Sequence, residues 1–301
     1  MPNCITRRPE IYALIAAALN GTIGPFTRVG LDSGLTPVNI AFWKCLGAFV
    51  LIASYCFARR THRGQTMRVA RDWPRFATLS LLGIFCLYCF ETWAFSEASI
   101  PLVSFLTYAA GGSTLLLSTL LLRERMAWQK ISAFCVIVTG VALICLFEGG
   151  VTGSYLGVVL ALCGGLGYAL FIFLSKWWNI GCGLPQLTWL FGFGSVYLLV
   201  PALHQGLAVP VGSAWLVLAA LVLLPTIDGF YFTTLAISQG EASKVQIVET
   251  SDPLFATLFA FVFFEDALGV LGALGALCIV CGLLTAIASG PYGNAAAPPR
   301  T

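Results

Sequence analysis

Charged side chains lie inside long apolar stretches of this 301-residue chain, where a charge is costly, and five of them are candidates for a functional site. They are Lys44, Glu91, Asp228, Glu249 and Asp252. Insertion scales put the cost of such a residue at about 2.5–3.5 kcal/mol, so each one needs a partner, water or a function to explain it. Four carboxyl groups and one ammonium group suit the binding of protons, cations or a charged metabolite.

Asp228 follows Pro225 by three residues and directly precedes Gly229. Proline removes a helical hydrogen bond and frees a carbonyl group one turn upstream, and glycine permits further bending. Transporters build ion and substrate sites from a broken helix beside a carboxylate. Asp228 and the nearby Tyr231 are therefore predicted to line such a site. The alternative is an Asp that pairs with a neighbouring helix for architecture alone.

Glu249 and Asp252 are three residues apart, which places both on one face of a helix. Two carboxyl groups in that position can share or relay a proton. In the alternative interpretation, Asp252 accepts hydrogen bonds from backbone amides around a kink at Pro253.

Glu91 stands beside Tyr88 and Trp93, only about 8 Å from the outer end of its stretch by the helical rise. It is read either as a wall of a pathway or as a residue of a wet vestibule. Lys44 is open to three roles: neutralising a buried carboxylate, holding a substrate carboxylate, or forming a structural salt bridge. The aromatic residues near these groups, with Tyr108 among them, favour aromatic or hydrophobic amino acids as ligands.

Ten apolar stretches, each close to the 17 to 25 residues that cross a hydrocarbon core, must position these side chains. Hydrophobic residues make up 58% of the chain and charged residues only 10%, which a soluble core cannot absorb. The composition predicts an all-α membrane protein with ten transmembrane helices. The predicted spans are 10–31, 37–58, 74–96, 100–122, 128–147, 153–176, 183–204, 212–238, 243–264 and 267–288.

Lys and Arg residues avoid every second gap between these spans. Of the sixteen, all but Arg28 and Lys44 lie at the ends or gaps of one side. Basic residues of short loops are held on the cytoplasmic side, which predicts a multi-pass inner-membrane protein with both termini cytoplasmic. The apolar run after Arg8 continues to Leu31 without a small-residue cleavage site, so it is read as an uncleaved first helix.

A weak internal repeat relates the two halves of the chain at an offset of 141 to 148 residues. The tetrapeptide at 96–99 returns at 240–243, and Glu124 returns as Glu265. The matches predict two five-helix units, residues 1–150 and 151–290, followed by a short cytoplasmic tail, residues 291–301. Because five is odd, the second unit must be inverted, as in many secondary transporters.

Several small or cyclic residues predict hinges or kinks in the spans. Asn20, Gly24 and Pro25 mark the first span, and Pro225, Gly229 and Pro253 mark two spans of the second half. Asn20 is added to the predicted pathway because it lies at the first of these kinks.

The ten spans, the duplicated unit and the run from Asp252-Pro253 to Glu265 resemble the EamA-type members of the drug/metabolite transporter superfamily. The resemblance covers nearly the whole chain. In the first half Gly111-Gly112 stands where the second half has Asp252-Pro253, so the halves depart from strict equivalence. The resemblance implies a secondary transporter that exports amino acids or other small metabolites. Relatives that carry nucleotide sugars or phosphorylated sugars keep those cargoes open as an alternative.

The sequence lacks the residue patterns that other classes of function require. No Ser/His/Asp, Walker or H-E-x-x-H pattern occurs, so the chain is predicted not to be an enzyme. The C-x-x-C pairs at 86–89 and 278–281 lie in apolar spans, which favours packing over metal binding, and no cofactor is expected. Only Lys44 and Arg28 are available inside the spans for a phosphorylated cargo. A channel or a non-transporting scaffold remains the alternative of another class.

The expected partners follow from the same distribution of charge. The net charge of +3 lies at membrane edges, which favours anionic lipid headgroups and gives no argument for nucleic acid. A small-molecule substrate is expected, with protons as a candidate coupling ion. Both a monomer and a homodimer are compatible with the sequence.

Overall fold

Helices make up all the regular structure of the computed structural model, which describes residues 9–98, 100–125, 127–144, 154–212, 214–264 and 269–288. No β-strand occurs within those ranges, and the predicted all-α class is confirmed there. Glu265, the two terminal segments and the side chain of Arg28 lie outside the described residues. The helices are α1 Pro9–Asn20, α2 Ile23–Asp32, α3 Pro37–Ala58, α4 Arg60–Val69, α5 Trp73–Ser80, α6 Glu91–Glu97, α7 Ile100–Ala109, α8 Gly112–Leu120, α9 Trp128–Ala142, α10 Tyr155–Trp177, α11 Leu184–Gln205, α12 Ala214–Leu221, α13 Phe230–Gln239, α14 Ala242–Glu249, α15 Asp252–Phe264 and α16 Val270–Ala288.

Six helical stretches within the described ranges are long and apolar enough to cross a membrane. Two shorter apolar helices, Phe105–Leu120 and Trp128–Ala142, accompany them. The protein is thus a membrane protein with several spans, and the full count of ten stays a prediction. The six are Pro37–Ala58, Arg60–Phe90, Tyr155–Trp177, Leu184–Gln205, Ala214–Gln239 and Val270–Ala288.

Three predicted spans are interrupted. The first divides into α1 and α2 at Gly21 and Thr22, the fourth into α7 and α8 at Ala110 and Gly111, and the ninth into α14 and α15 at Thr250 and Ser251. A membrane interior supplies no water to an interrupted backbone, so its polar groups must be satisfied by the protein. The last two interruptions precede α8, which begins at Gly112, and α15, which begins at Asp252.

Two of the long helices contain a π-helical segment, Leu81–Phe90 between α5 and α6 and Val222–Gly229 between α12 and α13. Pro225 lies inside the second segment, where its missing N–H cannot continue the ladder. The hydroxyl of Thr226 donates to the carbonyl of Leu221 at 2.7 Å. π-Helical segments are frequently found at functional sites in proteins.

Glycines allow the helices of the two halves to approach closely in matched pairs. A Cβ on Gly140 of α9 would lie 2.5 Å from the carbonyl oxygen of Gly275 in α16. A Cβ on Gly282 of α16 would lie equally close to Ile137 of α9. In the same way Gly47 of α3 faces the second π-helical segment, and Gly194 of α11 faces the first.

Replacing a glycine of the α9–α16 contact by alanine should destabilise the fold. Gly140→Ala and Gly275→Ala each place a methyl group against opposing backbone, and such overpacking costs about 1–3 kcal/mol. The measurement is the thermal unfolding midpoint of the purified protein in detergent. Gly64→Ala is the matched control because nothing lies within 4 Å of its added Cβ. Equal midpoints for all three variants would contradict the described packing.

Candidate functional site

The interruption between α14 and α15 places two acidic side chains in the interior. Glu249 is the last residue of α14 and Asp252 the first of α15. The hydroxyl groups of the two residues between them form hydrogen bonds within the same segment. Thr250 donates to the carbonyl group of Gln246 at 2.8 Å, and Ser251 donates to that of Val248 at 2.6 Å. Pro253 lies in the first turn of α15, where its missing N–H costs no helical hydrogen bond.

Both oxygens of the Glu249 carboxyl group accept a hydrogen bond. The hydroxyl of Tyr168 in α10 donates to Oε2 at 2.8 Å, and the hydroxyl of Thr233 in α13 donates to Oε1 at 2.6 Å. Only 2% of Glu249 is exposed. Three helices therefore hold this acid in one orientation.

Asp252 accepts a hydrogen bond from the hydroxyl of Tyr108 in α7 and is 4% exposed. Glu91, which is partly exposed, lies within electrostatic reach of both Asp252 and Lys44. The ammonium of Lys44, 4% exposed, stands 3.7 Å from the centre of the Tyr88 ring, a cation–π contact.

We call Lys44, Glu91, Tyr108, Tyr168, Glu249 and Asp252 the interior cluster. It joins six helices of both halves and contains three carboxyl groups against one ammonium group. Buried charges of one sign need protons, counter-ions or a cationic ligand. The cluster can therefore bind a proton or an ammonium group at its acids and a carboxylate at Lys44.

An aromatic wall borders the interior cluster. The ring of Phe230 lies 5.5–6.3 Å, between ring centres, from the rings of four other residues. These spacings are typical of aromatic pairs, and two of the four rings belong to residues that carry or contact the cluster's polar groups. The four residues are Tyr88, Tyr168, Phe171 and Phe191.

Asp228 lies apart from the interior cluster. It is exposed and lines a cavity of about 660 Å³ together with Tyr231. The rest of the lining consists of residues 62, 65, 68 and 69 of α4, residues 182 and 183 before α11, residues 184–186 of its first turn, and Ile227. Asp228 lies in the second π-helical segment and lines this cavity, whereas Thr233, in the following α13, donates to Glu249.

The remaining residues singled out in the sequence fall into different surroundings. The Oδ1 atom of Asn20 faces Gly229, and among the described residues it is buried without a hydrogen-bond partner. Gly24 and Pro25 lie in the first turn of α2, just after the actual interruption. Trp93 is 46% exposed.

Sequence reasoning missed Tyr168 and Thr233, the two donors to Glu249. Tyr168 follows the small residues 164–167, which suggest packing only, and a threonine in an apolar helix carries no signal of its own. It also missed Thr114, whose hydroxyl lies 3.0 Å from the Oε1 atom of Gln246. An unpaired acid in a predicted span is a signal to look for hydroxyl donors on neighbouring spans.

At one end of the molecule a second group of charges ties the two halves together, and we call it the end network. Glu124 accepts from the backbone N–H groups of Ala242 and Ser243 at 2.8 and 3.1 Å, which caps α14. Lys130 contacts Glu241 at 2.5 Å. The network also pairs Glu10 with Lys244 at 2.7 Å.

Comparisons with known proteins agree with a transport role. The pattern that defines the EamA-like transporter family matches residues 7–146 and 155–288. An uncharacterized transporter of Archaeoglobus fulgidus is 24% identical over 86% of this chain and 90% of its own length. A probable terminal-alkyne amino-acid exporter of Streptantibioticus cattleyicolor is 24% identical over 85% of this chain and 86% of its own length. One crystal structure shares the fold with a TM-score of 0.79 at 19% identity, covering 93% of this chain and 96% of that chain.

Removing the donors to Glu249 should destabilise the protein. Tyr168→Phe and Thr233→Val each leave one buried carboxyl oxygen without its partner, which costs about 1–3 kcal/mol. The measurement is the unfolding midpoint in detergent, and the Tyr168→Phe/Thr233→Val double variant should fall below either single one.

The matched controls are Tyr55→Phe and Thr139→Val, because both side chains are exposed and Thr139 bonds only within its own helix. These controls should keep the wild-type midpoint. If they lower the midpoint as much as the Glu249-donor variants do, the claim that the two hydrogen bonds to Glu249 stabilise the fold is contradicted.

Proposed function

The chain belongs to the EamA-like transporter family, and we propose that it exports small metabolites, in particular amino acids including aromatic ones, by alternating access. The observation that carries the proposal is the interior cluster, which sets three carboxyl groups and one ammonium group beside an aromatic wall. The name of the exporter from Streptantibioticus cattleyicolor supports the direction and the class of cargo.

The chemistry of the interior cluster complements a zwitterion with an aromatic side chain. An ammonium group can pair with Glu91 or Asp252, and a carboxylate can pair with Lys44, which already lies against Tyr88. Charged groups inside a membrane mark substrate and ion pathways by default. A phosphorylated sugar carries several negative charges, and the three acids of the cluster would repel it.

Two units of five helices, residues 1–150 and 151–290, form the moving parts in this proposal. The matched interruptions, the paired π-helical segments and the reciprocal glycine contacts support an inverted two-fold relation between them. Transporters with such repeats rock one unit against the other around a site near the membrane midplane. The end network closes one end of the pathway and has to separate when that end opens.

The orientation in the membrane follows from the basic residues. The end network holds Lys130 and Lys244, and both belong to the side that carries nearly all Lys and Arg. Since basic loops face the cytoplasm, we place the end network and both termini on the cytoplasmic side of the inner membrane. Reporter fusions after residues 60 and 150 test this, with a cytoplasmic signal expected for the first and an external signal for the second.

Efflux from proteoliposomes tests the transport proposal. Liposomes that contain the purified protein and radiolabelled L-phenylalanine should release it with saturable kinetics. Glu249→Gln and Asp252→Asn should lower the rate by about thirtyfold or more, because disrupting a buried, hydrogen-bonded charge costs about 2–5 kcal/mol. Asp72→Asn is the control, since that acid is exposed and pairs only with Arg75 in the described structure.

A proton gradient distinguishes exchange from facilitated diffusion in the same vesicles. If export is exchanged for protons, acid on the receiving side should accelerate wild-type efflux. The Glu249→Gln variant should lose that acceleration, because an amide cannot carry the proton. Release of a sugar phosphate without release of any amino acid would contradict the proposed cargo.

A further inference from the structure

The cavity that contains Asp228 is a second site for charge, separate from the interior cluster. Its volume of about 660 Å³ lies within the 300–1,000 Å³ common for small-molecule sites. Its lining comes from α4, from the start of α11 and the two residues before it, from the end of the second π-helical segment and from Tyr231 of α13. No residue of the interior cluster belongs to the lining.

In the proposed orientation, Asp228 lies within the membrane-spanning part of its helix and not at the cytoplasmic end. It stands eleven residues before Gln239, the end of α13, which corresponds to about 16 Å by the helical rise. An exposed carboxyl group at that depth has to face a hydrated space or a partner of opposite charge. Among the described residues, no ion pair or hydrogen bond engages Asp228.

A guanidinium group lines the same cavity. Arg68 of α4 is exposed, and within the described part of the chain it too has no ion pair. One cavity therefore offers an unpaired carboxylate and an unpaired cation. Those are the two charges that a zwitterion complements.

The apolar part of the lining suits a hydrophobic side chain. Val69, Leu184, Ile227 and the ring of Tyr231 all contribute to it. Gly183 at the rim has a backbone φ of +131°, which L side chains rarely adopt. The loop can therefore turn tightly beside the opening.

We propose that this cavity is a cytoplasmic loading site that binds the cargo amino acid before it reaches the interior cluster. The ammonium group of the cargo pairs with Asp228, its carboxylate pairs with Arg68, and its side chain rests on Tyr231 and Ile227. The inference rests on the proposed function for its direction. In our assignment the region around Arg71 and Arg75, which directly follows α4, faces the cytoplasm. The cavity is therefore reached from the cytoplasm, which is the side that an exported molecule leaves.

Three ligands that differ by one charged group test the assignment of the two charges. L-phenylalanine carries both groups, phenethylamine lacks the carboxylate, and 3-phenylpropionate lacks the amine. Titrations by calorimetry use the purified protein in lipid-free detergent, so that ammonium headgroups of lipids do not compete.

Each variant should affect only the ligands that carry its partner. Asp228→Asn should weaken L-phenylalanine and phenethylamine by about tenfold and leave 3-phenylpropionate unchanged. Arg68→Gln should weaken L-phenylalanine and 3-phenylpropionate and leave phenethylamine unchanged. Asp72→Asn, an exposed acid beyond the cavity that pairs with Arg75, should bind all three as wild type does.

Efflux kinetics separate loading from translocation. Asp228→Asn should raise KM for L-phenylalanine about tenfold with kcat within about twofold, whereas Glu249→Gln should lower kcat. Wild-type affinity for all three ligands in the Asp228→Asn variant would overturn the loading site while leaving the exporter intact. Absence of any amino-acid efflux from the wild type would overturn the proposed function itself. Binding that requires added phosphatidylethanolamine would assign the cavity to a lipid headgroup and overturn its loading role.

Discussion

The break between α14 and α15 is the constraint on which the arrangement of the interior depends. It ends one helix at Glu249 and begins the next at Asp252, so two acids lie where a continuous helix would bury apolar side chains. The membrane interior provides no water for them, and the neighbouring helices supply the donors instead. Tyr108, Tyr168 and Thr233 come from α7, α10 and α13, and each of these helices is thereby tied to the break.

Each half contains a helix break and a π-helical segment, but the charged residues at the two breaks differ. A break precedes α8 as another precedes α15, yet Gly111-Gly112 stands where the second half has Asp252-Pro253. The first half supplies Tyr108, which donates to that single acid across the interface. The two halves thus contribute to one asymmetric acidic centre, and Lys44 of α3 adds the opposite charge beside it. This asymmetry gives a zwitterionic cargo a preferred orientation in our account.

Composition and the placement of charge were enough to predict an all-helical membrane protein, because a chain this apolar has few other ways to fold. The acids of the interior cluster stand out for the same reason, since each is an ionisable group in an apolar run. Tyr168 and Thr233 do not stand out, because their role arises only when α10 and α13 pack against α14. The sequence predicted that Asp228 and Glu249 line one pathway. In the structure Asp228 lines the separate cavity, whereas Thr233, five residues later, donates to Glu249.

In the proposed orientation, hydrogen bonds to buried polar groups also join the two halves at the cytoplasmic end, in the end network. Glu124 satisfies backbone N–H groups at the start of α14 that would otherwise be unpaired, and α14 carries Glu249 at its other end. In the proposed mechanism, α14 is therefore the element that connects the cytoplasmic end to the acidic centre.

A structure determined with L-phenylalanine bound at saturating concentration in lipid nanodiscs tests the central claim most directly. The account predicts density for the ligand against Lys44 and the acids of the interior cluster, with its ring on the Phe230 wall. An interior cluster that keeps all its present contacts and shows no ligand density, while the ligand occupies only the surface, would contradict it.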